Sequence, residues 1–292
     1  MKHFDFITVG NYTKDTIVSA AGTRFVDGGG YNYAAHAAAL VGLRVAAVTR
    51  RAAEDAGVTA PLAAAGITVF ATDSPSSTLM RLEYPTANVD ERILSVAGVA
   101  DPIGAAELLD LSAHTFLVTA SIRGEVAPAT VRLMKERSKT LALDVQGFVR
   151  TVGPNGRLQY EEWPERDLVL GMVDILKTDA VEAEFLTGTA DIHGAAKALA
   201  GLGPREIVLT HKDGLLVLAG GRYHEAGFHP QELRGRSGRG DTCVGSYASR
   251  RLTAQPAEAT RWAAALTSLK LEAEGPIRRT RADVERLIEE KY

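Results

Sequence analysis

The sequence predicts an α/β fold in three layers: a mainly parallel β-sheet with helices on both faces, accompanied by a small second β-sheet. Three observations carry this. Short apolar runs alternate with Ala-rich or amphipathic stretches of helical length over most of the chain. The runs are apolar on consecutive residues, as expected of strands covered on both faces. One region, residues 76–100, breaks the alternation with polar and apolar residues taking turns and turn-formers between them.

In chain order, FDFITVG (4–10) reads as a strand and TRFV (23–26) as another. NYAAHAAALVG (32–42) is helical, with Gly42 as its C-cap. RVAAVTR (44–50) is a buried strand, APLAAAG (60–66) a short helix and ITVFATD (67–73) a strand. TFLVTASI (115–122) is a strand, followed by a helix around 127–138 and the strand TLALDVQG (140–147). VDILKTD (173–179) is a strand, with helices over 180–187 and 191–201. EIVLTHKDGLLVLAGG (206–221) gives two strands around Asp213-Gly214, and helices fill 241–252, 257–274 and 280–290. Segments near 12–26 and 76–100 are expected to pair as a β lid. With no internal repeat and no low-complexity linker, residues 1–292 are expected to form one domain carrying that lid.

At 46% apolar and 24% charged over 292 residues, the chain is long enough for one large core. A net charge of −3 does not mark a nucleic-acid or anionic-membrane binder. The single cysteine, Cys243, excludes an intramolecular disulfide and a thiolate metal cluster. MKHFDFITVGNYTKD has no long apolar segment, and no 18-residue apolar run occurs, so a cytoplasmic location is expected. No Gly-Lys pair exists, so there is no G-x-x-x-x-G-K-[ST] loop. No G-x-G-x-x-G follows the first strand, and the seven histidines show no metal-ligand spacing.

Two glycine-rich stretches precede helices. In VDGGGYNYAAHAAALVG, Gly28, Gly29 and Gly30 would let the backbone approach a ligand, or simply turn the chain. Asp15 lies a few residues past the first strand, where an open α/β sheet presents its ligand crevice. In RGRSGRGDTCVGSYASRRL (234–252), three glycines, a serine and three arginines stand ahead of Asp241. The amides of Gly238 and Gly240 at a helix start suit an anion. Asp241 repels a phosphate, so it fits there either as a general base or as the helix N-cap.

In this order these features resemble the ribokinase-like (PfkB) carbohydrate kinases over roughly residues 5–275. That family carries an early substrate aspartate, a Gly-Gly turn into a helix, a middle N-x-x-E segment and a late G-A-G-D motif. Here these are Asp15, Gly28-Gly29-Gly30, Asp179-x-x-Glu182 and Gly238-Arg239-Gly240-Asp241. THKDG, Thr210 to Gly214, resembles a nucleotide-contact segment of the family. The departures are Gly235 and Arg236 for the leading Asp-Thr, Arg239 for alanine, Asp179 for asparagine, and Tyr33 for an asparagine on the first helix, with Asn32 beside it.

The resemblance implies ATP-dependent phosphorylation of a hydroxyl. Asp241 would be the base, with Gly238, Arg239 and Gly240 around the transferring phosphoryl. Asp15, Gly29, Gly30, Asn32 and Gln146 would hold the acceptor, and Thr210, Lys212 and Gly214 the nucleotide. Glu182 and Asp179 would orient Mg2+ through water. Arg239 would face either the phosphates or solvent. LDVQGFVR, with Asp144, Gln146 and Arg150, is similar to the myo-inositol kinase branch. The expected acceptor is a small sugar or polyol, and a homodimer would form through the lid. Alternatives are a nucleoside kinase of the family and a non-catalytic nucleotide or sugar sensor. With 6% aromatic residues, few stacking walls are available for a base; Tyr12, Tyr31 and Tyr33 are the visible ones.

Overall fold

A computed structural model describes residues 1–86 and 92–292. Its strands are β1 (Lys2–Val9), β2 (Thr13–Ser19), β3 (Gly22–Asp27), β4 (Val45–Ala52), β5 (Thr68–Ser74), β6 (Thr78–Glu83), β7 (Ile93–Gly98) and β8 (Leu111–Val118). They continue with β9 (Ser138–Asp144), β10 (Arg150–Val152), β11 (Leu158–Tyr160), β12 (Ile175–Asp179), β13 (Glu206–Thr210), β14 (Gly214–Ala219) and β15 (Arg222–Gly227). The helices are α1 (Gly30–Ala39), α2 (Ala60–Ala64), α3 (Pro128–Glu136), α4 (Gln146–Val149) and α5 (Arg166–Leu170). They are followed by α6 (Ala180–Thr187), α7 (Ile192–Ala200), α8 (Arg239–Arg250), α9 (Pro256–Leu271) and α10 (Arg281–Lys291).

Among the described residues, nine strands form one sheet in the order β15-β14-β13-β12-β9-β8-β1-β4-β5. From β13 to β5 every pair is parallel, with Ile7 of β1 opposite Ala46 and Phe116; β13-β14 and β14-β15 are antiparallel. Burial on both faces explains the continuous apolar runs. In β13, Ile207 and Leu209 enter one core cluster and Val208 the other. Helices α1, α8 and α9 cover one face, and α3, α6 and α7 the other. Gly245 of α8 rides directly on α1: a methyl group there would lie 2.6 Å from Ala34 Cα. This is the ribokinase-like α/β fold.

The smaller sheet runs β3-β2-β6-β7, with β2 and β6 parallel and the outer pairs antiparallel. Ile17, Met80, Leu82 and Val96 bury its inner face with Ile122. Residues 87–91, part of the 76–100 segment expected in the lid, lie outside the described residues.

Some boundaries differ from the sequence reading. Helix α1 ends at Ala39, not Gly42, because Val41 N and Gly42 N donate to Ala38 O and Ala39 O and tighten the last turn. β15, RYHEAG, is a largely exposed edge strand without apolar alternation, which hides it in the sequence. β10 and β11 are three-residue strands, too short for a periodic signal. No described helix is long and apolar enough to cross a membrane.

Candidate active site

Parallel strands β9, β12 and β13 end on Asp144, Asp179 and Thr210, along one carboxyl edge of the sheet. Ligands bind at that edge in open α/β sheets. Helix α8 starts above it. Its N-cap is Gly238, at φ 75°, ψ 11°, a left-handed conformation that favours glycine, and a side chain there would strike the Tyr33 ring. Asp241 is therefore the third helical residue and not the N-cap, which removes the capping explanation for it. The amides of this first turn lack intrahelical partners and carry the positive end of the helix dipole.

Asp241 is held from two sides. Gln146 Nε2, at the start of α4, donates to Asp241 Oδ1 at 3.1 Å. On the other side lies Gly30, where a Cβ would sit 2.5 Å from Asp241 Oδ1 and 2.9 Å from Thr119 O. Gly30→Ala is expected to displace the carboxylate and, where Asp241 is catalytic, to lower turnover by about 100-fold, since a misplacement of an ångström costs that much. Overpacking would destabilise the fold by about 1–3 kcal/mol. Steady-state kinetics beside a thermal melt checks both; wild-type kcat would show that the carboxylate tolerates the shift.

Behind Asp241 is a buried network of alternating charge. Lys177 Nζ lies 3.0 Å from Asp144 Oδ2 and 3.8 Å from Glu182 Oε2, and Arg150 Nη2 lies 3.0 Å from Glu182 Oε1. A Cβ on Gly240 would be 2.7 Å from Lys177 Nζ, so the ammonium sits directly under the turn that starts α8. Burial alone would discharge Lys177, but Asp144, Glu182 and Asp179 outweigh it and hold its pKa above the usual lysine value. Burial raises the Asp241 carboxyl, against the opposing pull of Lys177 and Arg150. Burial also works on Asp179, yet Lys177, the Glu182 amide and Arg150 keep it below the ordinary carboxylate range.

The other wall carries Asp15 on β2, with Thr13, Gly29 and the ring of Tyr33, under a ceiling of Met80, Leu82 and Leu94 from the four-stranded sheet. Gly28 leaves room for the Asp15 carboxylate, which a side chain there would strike. Asp15 is buried, and desolvation pushes its pKa up to about 7, with a hydrogen bond from Thr13 opposing.

The cavity thus brings together Asp15, Gly29, Gly30, Gln146, Asp179, Thr210, Gly238, Arg239, Gly240 and Asp241. Arg239 lines it, so a purely solvent-facing side chain is not what the structure has. Four expected residues fall elsewhere. Asn32 turns to the far side of α1, reaching Asp27 O at 3.4 Å, in a different cleft; consecutive helical residues cannot share a face, and Tyr33 takes the cavity side. Lys212 is exposed on the β13–β14 hairpin turn. Gly214 starts β14, where a side chain would strike Ala226 O of the neighbouring strand, so its missing Cβ serves strand pairing. Glu182 is fully buried, with Oε1 on Arg150 and Oε2 accepting from Asp179 N, so no oxygen faces the cavity. Lys177, Arg92 and Arg236 line the cavity without having been singled out as site residues. A lysine inside the apolar run DILKTD, two residues before Asp179 and so on the same strand face, was the available signal for the first.

A glycine-rich helix start that carries a carboxylate, beside a cationic network at the carboxyl edge of such a sheet, defines a phosphotransferase of the ribokinase-like class. The model of the pfkB family carbohydrate kinases matches residues 4–282, and the chain belongs to that family. No curated protein matches it in sequence. Among solved structures, it is similar to a pyrophosphate-dependent kinase in the ribokinase family complexed with a pyrophosphate analogue and myo-inositol. That similarity is 29% identity over 96% of this chain and 99% of that one, with a TM-score of 0.89. A pyrophosphate-dependent myo-inositol-1 kinase converted into a myo-inositol-3 kinase by two substitutions aligns at 29% identity, 98% and 99% coverage and a TM-score of 0.88. Ribokinase from Arabidopsis thaliana, complexed with ribose and ATP, shares the fold at 18% identity, 98% and 99% coverage and a TM-score of 0.77.

Proposed function

We propose that the protein transfers a phosphoryl group from inorganic pyrophosphate to a hydroxyl of a small polyol, with myo-inositol the first candidate. The carrying observation is Asp241, which stands in the first turn of α8 between Gln146 and Gly30. The acceptor hydroxyl gives its proton to Asp241 as its oxygen bonds to phosphorus, and the bridging P–O bond breaks to release phosphate. The α8 amides, Lys177 and Arg239 stabilise the charge on the transferring group. The four-stranded sheet acts as the lid of a single domain, excluding water from the reaction. Phe25, 74% exposed on its edge strand, is the apolar side chain that a homodimer through this sheet would bury.

The donor reading rests on three things. Lys177, Arg92, Arg150, Arg236 and Arg239 line one small cavity, which suits a compact, highly charged anion. Two similar solved kinases are pyrophosphate-dependent. Lys212 and Gly214, the residues expected to hold a nucleotide together with Thr210, stand outside the cavity. ATP, the donor that the family resemblance implies, is the competing arm of the test. Mg2+ fits this chain at Asp179, whose half-buried carboxylate lines the cavity, and not at Glu182, whose oxygens are engaged. Bound with the donor, the ion supplies neutralisation of phosphate charge. Initial rates across pyrophosphate and ATP, each with myo-inositol, ribose and adenosine, decide the matter. The highest kcat/KM is expected for pyrophosphate with myo-inositol. Preference for ATP overturns the donor reading, preference for adenosine the acceptor reading, and binding without turnover would favour the sensor.

Asp15 gives a pH prediction. Its ionised form accepts acceptor hydroxyls, so the acceptor KM should rise as pH falls through about 7, while the donor KM stays level. Asp15→Ala should raise the acceptor KM by about 10- to 100-fold, the worth of hydrogen bonds to a charged group. A flat KM profile in the wild type would remove Asp15 from acceptor binding.

A further inference from the structure

Lys270, in the last turn of α9, is 1% exposed, and nothing in the reaction above uses it. Its Nζ donates to Gly235 O at 2.6 Å and to Ser237 O. The ammonium also lies 5.3 Å from the centre of the Tyr33 ring, the ring that the α8 N-cap packs against. The same turn is tied to α9 by its amides, since Arg234 N and Gly235 N both donate to Leu271 O, at 2.9 and 3.0 Å. Gly235 sits so close to Ala273 that any side chain would strike its carbonyl. Residues 234–238 are therefore clamped onto the end of α9 immediately before the chain turns into α8. A buried charge is costly to keep: desolvation pushes this ammonium down to about 8, although Asp241 and Glu274 pull the other way.

We infer that Lys270 is a positioning residue, whose ammonium fixes the Gly235 and Ser237 carbonyls so that the amides that follow them at the start of α8 stay aimed at the transferring phosphoryl. The inference rests on the phosphotransferase reading. Holding two carbonyls toward α9 orients the peptide planes between Gly235 and Gly238, and the αL N-cap then directs the first-turn amides into the cavity. Without the cation those carbonyls face each other across a gap and the turn relaxes. The neighbouring cleft, lined by Tyr33, Tyr84, Leu233 and Arg236, gives a small amine a way in.

The test uses Lys270→Met, which keeps the length and shape of the side chain, and Lys270→Ala with added propylammonium, which restores the atoms removed. Amide hydrogen exchange over residues 236–241 is expected to quicken at least tenfold in Lys270→Met. Its kcat should fall by about 100-fold, as for the loss of an aligned oxyanion donor, with the acceptor KM within twofold. Propylammonium should recover at least tenfold in Lys270→Ala and leave the wild type unchanged. If Lys270→Ala does not fold, Lys270→Met carries the test alone. A folded Lys270→Met with wild-type exchange across 236–241, or with kcat within threefold of wild type, overturns the proposal. So does a folded Lys270→Ala that propylammonium does not rescue. Should the wild type transfer phosphate from no donor, the functional reading fails, while the exchange data still decide whether Lys270 clamps the turn.

Discussion

Asp241→Asn should lower kcat by roughly 10²–10⁴-fold, the range for loss of a general base. The acceptor and donor KM values should move far less, and the melting temperature should stay within a few degrees. The asparagine keeps the size of the side chain and can still meet Gln146 Nε2, which now donates to Asp241 Oδ1 at 3.1 Å. Only the proton acceptor is gone. Because Asp241 is not the N-cap of α8, the substitution removes no capping bond that would confuse loss of activity with loss of fold. The raised pKa of Asp241 makes it a stronger base than an exposed aspartate. It also means that the wild-type rate should fall as acid protonates it, a limb that the Asn variant lacks. Full activity in that variant would remove Asp241 from the proton transfer.

Lys177→Met should be the most damaging change to the fold. The lysine is 3% exposed and stands between Asp144 and Glu182, both fully buried. Removing one partner of a buried ion pair leaves uncompensated charge, at a cost of about 3–5 kcal/mol. The sign of the pH dependence follows from Asp144, whose pKa burial already raises despite Lys177. Without the lysine it rises further, so the folded variant takes up a proton that the unfolded chain releases. The deficit should therefore be largest near neutrality and shrink on acidification. Urea unfolding of both proteins at about pH 7.5 and about pH 5.5, both above the ordinary carboxylate range, measures this. An equal deficit at both values would mean that lost packing, not unpaired charge, sets the cost.

The alternation of apolar runs and helices was legible because strands covered on both faces must be apolar throughout, and the inner strands of the described sheet are such runs. The helix start at GRGD was legible for a different reason: few chemistries place bare amides beside a carboxylate. What stayed hidden was side-chain direction. Asn32 and Tyr33 are neighbours in sequence, yet a helix turns 100° between them, and only Tyr33 reaches the cavity. Gly214 resembled a nucleotide-contact glycine, whereas its closeness to β15 is a contact made between strands and invisible in a linear motif. Glu182, expected to orient Mg2+, is instead taken up by Arg150 of β10 and Lys177 of β12, side chains outside its own helix. Local helix geometry decided the first of these, and contacts with Ala226 and Arg150, distant in sequence, the other two.

The seating of Gly245 on Ala34 has a mechanical consequence. α1 begins at Gly30 and α8 at Arg239, so the two helices carry the two glycine-rich turns of the cavity at their leading ends. At Gly245 the α8 backbone rests on the α1 backbone with no side chain of its own between them, and close packing of this kind favours movement of the pair as one block, like two rails bolted without a spacer. In the proposed reaction, helix packing would then preset the gap between the incoming oxygen and the phosphorus rather than leave it to be adjusted on each turnover. The four-stranded sheet is joined to α1 by the short stretch 28–29, and to the large sheet by the short stretches 10–12 and 75–77 and the longer one 99–110. Such a hinge can open and shut the roof without altering the distance over which the phosphoryl group has to travel.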